Sequence, residues 1–524
     1  MGSYNNVHRV IKRLQGKKKK QEAQHSDSSH NDSLSPNLEE NVTAIKQILG
    51  NSPDVRIRSI TIPLTKNKKI KAVVLSIDGI IDQQAIREHV IRPLKEEPID
   101  DVGELLDAIQ QRIYINEVTV TKALKESLPK VLKGNTLLLV DGLTEGLLIN
   151  ASKYESRSIE ESEAEQTIQG ARDGFIESLQ VNISLIRQRI ADPHLHFETF
   201  EIGEITRTTV VIGYMSHIVD DALVERVRTR LQDIKVDSIE SSGDIEQHIE
   251  DHPYSIFPTI GNTERPDVAV SALLDGRVII LINGTPVCLY VPYLFIESLK
   301  NVEDYHSRPY YTSLIRIIRF FAFVISTTFP AIYMAALNFH KEMIPSDMIV
   351  PVVQAREAVP FPLTLEIIIT IIMFEVIREA GVRLPQHIGA AFSIVGALIL
   401  GEVAVAAGLF GAPTIIIVSI SFIAAFVITP ITDVTALLRL LFFIGSSLFG
   451  AYGLFVMLLA ILTHMVSLTS LGVPYMSPLS PFYLRDLKDT IVKFPKRWLT
   501  HRPQSIPNKK PKKVESLPET GGKQ

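Results

Sequence analysis

Hydrophobic and polar positions follow two different patterns along the chain, and the change falls near Arg319. Before it, short apolar runs alternate with charged and turn residues. After it, long apolar runs follow one another until charge returns at Arg485. An apolar run of about 20 residues matches the hydrocarbon thickness of a bilayer. The pattern therefore predicts an α+β fold class: two related cytoplasmic α/β subdomains, then a polytopic α-helical membrane domain.

The polar half divides into four segments. Residues 1–40, with a basic block at Lys17–Lys20, predict a disordered tail, because little apolar surface is available to offset the entropy of ordering. Residues 41–153 and 172–293 predict the two subdomains, and the acidic residues 154–171 predict a solvated linker. In the first subdomain we expect strands at Arg56–Ile62, Lys71–Ile77, Thr136–Val140 and Leu147–Ala151, and helices at Asp82–Ile91, Val102–Arg112 and Val118–Ser127.

The two subdomains resemble each other in sequence. VVLSIDGIIDQQAIREHVIRPL, from Val73, is similar to VVIGYMSHIVDDALVERVRTRL, from Val211. Each copy passes from a strand to a helix that Asp82 or Asp220 is placed to cap. A nearly constant offset between the copies favours an internal repeat. A groove between two such lobes is a candidate small-molecule site, on architecture alone.

The apolar half begins after a connector, residues 294–316, and occupies residues 317–471. We expect spans at Ile317–Leu337, Leu363–Ile377, Ile388–Phe410 and Pro413–Ile431, then a longer run at Val434–Leu471. As one helix, rising about 1.5 Å per residue, that last run exceeds the bilayer core. Its glycine- and serine-rich centre, GSSLFGAYG, predicts two short spans or a re-entrant hairpin.

The positions of Lys and Arg predict the topology. Arg316 and Arg319 precede the first span, and we expect their side chains to snorkel to the cytoplasmic membrane edge. Further basic residues follow Pro481, and Lys341 and Arg356 in a longer loop are weak exceptions. Both ends are therefore expected in the cytoplasm, with about six crossings.

The segment after the spans, residues 472–524, predicts a short amphipathic helix and a basic tail. Leu484, Leu487, Ile491 and Val492 would share one side of that helix. Both a position on the membrane surface and docking on the polar half are consistent with this pattern.

Composition excludes several classes. The chain has 524 residues, a net charge of −4 and one cysteine. It therefore has no basic field for nucleic acid and no disulfide framework of its own. The first residues contain no apolar segment typical of a secretory signal, so we expect the polar half in the cytoplasm.

No motif for catalysis or cofactor binding is present. The phosphate-binding loop and the dinucleotide fingerprint are both missing from the sequence. His194 and His196 lie two residues apart, which is not the spacing of helical metal ligands, and we see no cysteine or carboxylate companion. We therefore expect no enzyme activity, no cofactor and no metal site.

A resemblance to a known family rests on ordered motifs between Pro360 and Gly408. They are PFP, a following Glu, REAGVRLP, IG, IVGALILGE and AVAAG, with EDY at Glu303–Tyr305, DLKDT at Asp486–Thr490 and Arg502-Pro503 outside them. This order resembles the A-subunit family of GerA-type spore germinant receptors, and the resemblance extends from about Val73 to Pro503.

The resemblance implies a nutrient-sensing receptor subunit in the inner membrane of a bacterial spore. The family's A subunits work with a transporter-like B subunit and a lipoprotein C subunit. They are understood as the ring-forming component, with five subunits as a candidate number, that releases monovalent cations when germinant binds. Membrane lipid is then a further partner.

Polar residues within the apolar half are the candidates for a pore, a gate or intramembrane contacts, because charge there is costly and usually functional. These candidates are Glu366, Glu375, Arg378, Glu379, Arg383, Glu402 and Asp433. Candidate structural residues of the same motifs are Pro360, Pro362, Gly381, Pro385, Gly389, Gly396 and Gly401.

We expect Glu402 to be the deepest acid. Glu366 lies in a first helical turn, where the helix dipole favours an anion. Glu402 would either bond a neighbouring helix in protonated form or face a wet oligomer axis. The joint Arg378–Pro385 would lie at the cytoplasmic interface, with Glu375 and Arg378 paired at helical spacing.

Two other functions remain open. A related spore-membrane protein of the fifth-stage sporulation operon shares these motifs and would act downstream of the receptors. A secondary transporter also fits intramembrane acids, although such proteins usually show an internal membrane repeat, which we do not find here.

Overall fold

The computed structural model describes residues 33–65, 68–96, 98–99, 105–115, 117–153, 170–383, 396 and 398–513. The chain forms two compact units. Of these described residues, the first unit contains those between 33 and 153, 171–245 and 262–290. The second unit contains residue 170, residues 246–261 and the described residues between 291 and 513. The predicted linker at 154–169 and the tail at 1–32 lie outside the described residues.

The first lobe of the first unit is an antiparallel sheet with helices. Its strands are β1 Val55–Pro63, β2 Lys69–Ile77, β3 Val118–Thr121, β4 Asn135–Val140 and β5 Gly146–Asn150. Its helices are α1 Leu38–Leu49, α2 (Gln83–Ile86, a π-helical turn Arg87–Ile91, and Arg92–Glu96), α3 Leu105–Gln111 and α4 Leu124–Val131. The strand order is β1-β2-β4-β5-β3, with Val73 opposite Leu139 in the β2–β4 register.

Two sequence predictions for this lobe are wrong. Residues 118–127 do not form one helix, because Val118–Thr121 pairs with β5 and the helix begins only at Leu124. Tertiary pairing overrides the local pattern at such β-branched positions. The tail prediction to residue 40 also fails, since Leu34 and Leu38 are buried in the core.

The second lobe repeats the first. Its strands are β6 Leu195–Ile202, β7 Thr208–Met215, β8 Gly261–Thr263, β9 Val278–Ile282 and β10 Cys288–Val291. Its helices are α5 Leu179–Arg189, α6 Asp221–Asp233, α7 Ser242–Ile249 and α8 Pro266–Asp275. The strand order β6-β7-β9-β10-β8 matches that of the first lobe position by position.

The predicted helix caps are confirmed in both lobes. The carboxylate of Asp82 accepts from the backbone N–H groups of Gln84 and Ala85, and that of Asp220 accepts from Ala222. Each cap satisfies backbone donors that a helix leaves without an internal partner.

The interface between the two lobes contains a buried ion pair. Arg187 on α5 donates from Nε to Oδ2 of Asp54 at 2.7 Å, and both side chains are almost fully buried. The Arg187 guanidinium also lies 4.9 Å from the ring centroid of Phe197. Phe197 N in turn donates to the Ser52 hydroxyl at 3.0 Å. Arg187 and Asp54 are buried and paired with each other, so they do not line the open groove considered from the sequence.

The second unit is mainly helical. Its helices are α9 Pro309–Asn338, α10 Ser346–Gln354, α11 Leu363–Arg383, α12 Ala404–Ala406, α13 Ala412–Ala425 and α14 Thr432–Ser467, with a π-helical turn at Ile399–Val403 before α12. Short 3₁₀ segments occur at Phe295–Leu299, Val302–Tyr305, Lys341–Met343, Thr429–Ile431, Asp486–Lys488 and Lys496–Trp498, and a two-stranded sheet is formed by β11 Thr469–Ser470 and β12 Val473–Pro474.

Two helices of this unit, α9 and α14, are long and apolar enough to cross a membrane. α13 is apolar but shorter, and α11 carries several charges. α9 packs against α13 and α14, and α11 packs against α13. Their shared core includes Met334, Ile367, Phe422 and Phe443.

The outer face of this bundle is also apolar. Large hydrophobic side chains are exposed along several helices, at Leu314, Phe321, Ile416, Ile423, Phe449, Tyr452, Phe455 and Leu459. A helical surface that is apolar on both sides needs cover by lipid or by other protein.

The predicted break in the last apolar run is confirmed. Gly450 adopts φ 61° and ψ −140°, so the chain bends sharply inside α14. In a straight helix Gly445 and Gly453 would lie about 12 Å apart. Here a Cβ on Gly453 would clash with the carbonyl oxygen of Gly445. The two limbs of α14 therefore fold back on each other as a hairpin.

Three further expectations for the second unit need correction or stay open. The run Ile388–Phe410 is described only at residue 396 and from residue 398, and helix α12 ends at Ala406 before a turn at Gly408. α9 begins at Pro309, eight residues before the predicted start at Ile317. The six crossings remain a prediction.

The predicted amphipathic helix after Pro481 is absent from the described residues 481–513, where turns and two short 3₁₀ segments are found instead. Tertiary hydrogen bonds account for the difference. The Asp486 carboxylate accepts from the backbone N–H groups of Gln504 and Ser505 at 2.9 and 2.7 Å. The guanidinium of Arg502 donates to the carbonyl oxygens of Lys510 and Lys512. These contacts fix a looped chain.

Candidate functional site

One buried acid of the helical unit is Glu366, in the first turn of α11. Its side chain has no exposed surface. Oε2 accepts from Arg356 Nε at 3.1 Å, and Oε1 accepts from the backbone N–H of Gly411 at 2.8 Å. A Cβ on Gly411 would lie 2.8 Å from Cγ of Arg356, so only glycine allows this approach. Glu366 therefore joins α11 to the start of α13.

Pro360 and Pro362 lead into this site. The Pro362 carbonyl accepts the backbone N–H of Glu366 at 3.0 Å, which places the acid in the first helical turn. The helix dipole favours an anion there, as expected from the sequence. The structure adds Arg356 to this site. From the sequence, Arg356 was only a loop residue whose charge did not fit the predicted topology.

One buried cation of the same unit is Arg439, on the first limb of α14. Its side chain is 2% exposed. Nε donates to the carbonyl of Ser326 at 2.9 Å and to the hydroxyl of Ser421 at 3.0 Å. Its guanidinium carbon lies 3.9 Å from the ring centroid of Phe422, a cation–π geometry. Arg439 thus binds α9, α13 and α14 to one another.

Three of the predicted charges meet beside Arg439. Arg378 pairs with Glu375 one turn earlier, as predicted, and its Nη2 lies 3.8 Å from Oδ1 of Asp433. Oε2 of Glu375 lies 4.0 Å from Nη1 of Arg439. Asp433 is almost fully exposed. The four residues form a row of alternating charges between α11 and α14. It runs from the exposed Asp433 through Arg378 and Glu375 to the buried Arg439.

Arg439 was not among the candidate site residues taken from the sequence. The signal was present: a lone arginine within a long apolar run is costly unless it is paired. Its partners are a carbonyl, a hydroxyl, a carboxylate and a ring on other helices, which no local pattern reveals.

That Glu402 lies deepest in its span stays a prediction, because the exposure of a side chain does not measure its depth in a bilayer. Glu402 lies in the π-helical turn and is exposed, whereas Glu366 is buried. Among the described residues no hydrogen bond or ion pair reaches the Glu402 side chain. Leu398, Ile399 and Val403 beside it are exposed too. Glu402 is thus a single acid on an apolar outer face.

The glycines near Glu402 differ in role. A Cβ on Gly396 would lie 2.9 Å from Cδ1 of Ile377, so this glycine allows close packing against α11. At Gly401 an added Cβ would meet open space.

The charged joint is only partly described. Glu379 and Arg383 pair at 2.6 Å with both side chains largely exposed, and Gly381 lies within the same helix. Pro385 and Gly389 lie outside the described residues. Such an exposed pair contributes little to stability.

The prediction that the side chains of Arg316 and Arg319 snorkel does not hold, because both are paired with Asp304. Arg316 is 2% exposed and donates to Asp304 at 2.9 Å and to Asp489 at 3.0 Å. Arg319 donates to the same Asp304 carboxylate at 2.9 Å. Burial pushes the pKa of Asp489 up, but Lys300 and Arg316 outweigh it and hold the pKa below its ordinary value. This network fixes the end of α9 to the C-terminal segment.

The second lobe holds another group of titratable side chains. Asp192, His194 and His217 lie together, and Nδ1 of His194 is 2.8 Å from Oδ1 of Asp192. Burial raises the pKa of Asp192, but bonds from His194 outweigh it, so the pKa lies below the ordinary value. The expectation that His194 has no carboxylate companion is therefore wrong. His196 lies apart, with Nε2 3.2 Å from the carbonyl of Ile48.

Comparison with known proteins identifies the family. The sequence profile described as "Bacillus/Clostridium GerA spore germination protein" matches residues 43–505. The chain belongs to this GerA family. The match includes both lobes and the helical unit, so the buried charges described above lie within a GerA domain.

Individual GerA relatives are similar over most of the chain. "Spore germination protein KA" of Bacillus subtilis (strain 168) is 40% identical over 477 residues, covering 90% of this chain and 87% of that protein. "Stage V sporulation protein AF" of the same organism is 30% identical over 468 residues, covering 87% and 92%.

A solved structure is also similar in sequence. It is the crystal structure of the N-terminal domain of the A subunit of the Bacillus megaterium spore germinant receptor GerK3. The identity is 35%, with a TM-score of 0.41, and the match covers 51% of this chain and 98% of that chain.

Proposed function

We propose that the chain is the A subunit of a spore germinant receptor and acts as its oligomeric, ion-conducting membrane component, gated by germinant. In this proposal it works with B and C subunits in the spore inner membrane, has both termini on the core side, and catalyses no reaction. Membership of the GerA family supports the role in germination. The finer assignments rest on the helical unit.

The distribution of charge supports a membrane location. Glu366 and Arg439 are buried inside the bundle, whereas its outer face exposes large apolar side chains. In a bilayer the apolar face meets lipid, and ionised groups turn inward to paired positions. The pairs Glu366–Arg356 and Glu375–Arg378 follow that rule.

The observation that carries the ion-conducting role is the exposed Glu402. In one copy of the chain it lies on an apolar face with Leu398, Ile399 and Val403. Lipid would leave this carboxylate unsolvated at considerable cost. A ring of copies would instead cover the apolar neighbours and leave the acids facing a wet axis, where a ring of carboxylates attracts cations.

The test replaces Glu402 with Gln, which keeps the shape and removes the charge. We expect Glu402→Gln spores to contain normal amounts of assembled receptor but to release monovalent cations poorly on nutrient addition. Ion release would be followed by flame photometry, and receptor level by immunoblot of spore membranes. Glu357→Gln is the matched control, since Glu357 is an exposed acid of the same unit that is not among the candidate pore residues. Wild-type ion release from assembled Glu402→Gln receptor would exclude the pore-lining role.

The similarity to Stage V sporulation protein AF favours a second candidate. In that reading the chain is a spore-membrane ion-release protein acting downstream of the receptors. Deletion of the gene separates the two. Loss of the response to one nutrient class supports a receptor subunit, whereas slower ion release with every nutrient supports the downstream role.

A further inference from the structure

The open end of the β6–β7 hairpin brings together three side chains that can bind metal. β6 begins at Leu195 and β7 ends at Met215, and these two residues are opposite each other in the register. His194 immediately precedes β6, and His217 lies two residues beyond β7. The backbone N–H of Ser216 donates to the carbonyl of His194 at 2.9 Å, so the two histidine-bearing strand ends are held side by side.

Asp192 completes the group from the loop before β6. Its Oδ1 accepts from the backbone N–H of His194 at 2.8 Å and lies at the same distance from the imidazole Nδ1. The rings of His194 and His217 have centroids 4.6 Å apart in an edge-to-face arrangement. One carboxylate oxygen and one nitrogen from each ring all lie within 4.8 Å of one another.

This geometry is close to that of a three-ligand zinc site. With metal–ligand bonds of about 2.0–2.1 Å in a tetrahedral site, neighbouring ligand atoms lie about 3.3 Å apart. Side-chain rotations of about 1 Å bring the three atoms into that range, and partly exposed side chains on a loop permit such rotation. Two imidazoles and a carboxylate leave the fourth position open for water.

We propose that Asp192, His194 and His217 bind one divalent transition-metal ion of the zinc class. The ion replaces the Asp192–His194 hydrogen bond with direct bonds to both side chains and adds His217 on the other strand. It links the loop before β6 to the turn between β7 and α6, whose N-cap is Asp220. The site lies in the polar lobe, so it is independent of the pore proposal for Glu402.

The test is metal binding by the full chain, purified in detergent through a tag without histidine and stripped with a chelator. We expect one Co²⁺ per chain with the visible absorption bands of tetrahedral cobalt, displaced by one equivalent of Zn²⁺. His217→Ala and Asp192→Asn should each weaken binding more than about tenfold. His89→Ala is the control, because His89 is exposed and outside the cluster.

A structural readout separates binding at this site from binding elsewhere. Zn²⁺ should raise the thermal unfolding midpoint of the wild type and of His89→Ala, and leave that of His217→Ala unchanged. Equal cobalt bands in the wild type and His217→Ala would place the ion elsewhere and overturn the proposal. A missing cobalt band in folded wild type would overturn it as well.

Discussion

At the scale of single residues, the helical unit is organised by side chains that each hold several helices. Arg439 is the clearest case, since its guanidinium bonds α9 and α13 and stacks on Phe422. Glu366 does the same for α11 and the start of α13. Burying a charge is costly, and removing its partner leaves that cost uncompensated.

Replacing Arg439 tests this role. We expect Arg439→Ala to destabilise the folded protein by about 3–5 kcal/mol, because Ser326, Ser421 and Glu375 lose their partner inside the bundle. Arg439→Lys should retain part of that stability, since lysine keeps the charge but not the planar stack. Thermal unfolding in detergent measures both.

The matched control is Arg383→Ala, which removes an arginine paired with Glu379 at an exposed site. This substitution should change the free energy of unfolding by no more than about 0.5 kcal/mol. If both variants lost the same free energy of unfolding, the buried contacts of Arg439 would contribute no more to stability than the exposed pair of Arg383.

At the scale of elements, the bend in α14 decides whether the last apolar run is one helix or two. Gly450 has a positive φ and packs against Phe339. A Cβ added to Gly450 would lie 2.8 Å from Cβ and Cγ of Phe339. Whether the two limbs are two short spans or a re-entrant hairpin stays a prediction.

A side chain at the bend should open the hairpin. We expect Gly450→Ala to lower the free energy of unfolding by about 1–3 kcal/mol, because alanine is strained in this backbone conformation. The clash of its methyl group with Phe339 should lower it further. Disulfide formation between cysteines placed at Gly445 and Met457, which are neighbours across the hairpin, would report the bend.

Gly401→Ala provides the comparison, since a methyl group there meets open space. It should leave both stability and hairpin closure unchanged. A Gly450→Ala protein with normal stability and normal closure would contradict the strain argument.

At the scale of the whole molecule, stability is expected to depend on pH through Glu246 on α7. Burial, with a smaller contribution from Glu250, raises the pKa of Glu246 from 4.5 to about 7. The folded chain therefore holds a proton that the unfolded chain has lost between these values. Stability contributed by this proton is present at low pH and is lost as pH rises toward about 7.

Glu246→Gln removes this dependence. We expect the free energy of unfolding of the wild type to fall between pH 4.5 and about 7, by at most about 1.4 kcal/mol per pH unit, and that of the variant to change less. Scanning calorimetry over this range is the measurement, with the exposed Glu240→Gln as control. A parallel pH profile for Glu246→Gln would rule out Glu246 as the source.

Much of the architecture follows from local patterns. Alternation predicted β1 and β2, and Asp82 and Asp220 were predicted as caps because a carboxylate before an apolar helical run satisfies orphan N–H groups. The glycines around Gly450 predicted the break in α14, since glycine accepts positive φ. Ordered motifs were enough to identify the family.

Other features depend on contacts between residues far apart in the chain. Val118–Thr121 became a strand because β5 pairs with it. The segment after Pro481 became a loop because Asp486 accepts from backbone groups 18 and 19 residues away.

The sequence by itself determined where the polar lobes and the apolar helices lie, because the period of hydrophobic positions is a local property. Only the tertiary structure decided which charges are buried and with whom. Glu366 is buried because Arg356 and Gly411 meet it, Glu402 is exposed because no described residue does, and Asp192 meets His217 across a hairpin. Burial and pairing depend on neighbours that only folding brings together. The local sequence around an acid therefore does not show whether its side chain will be buried or exposed.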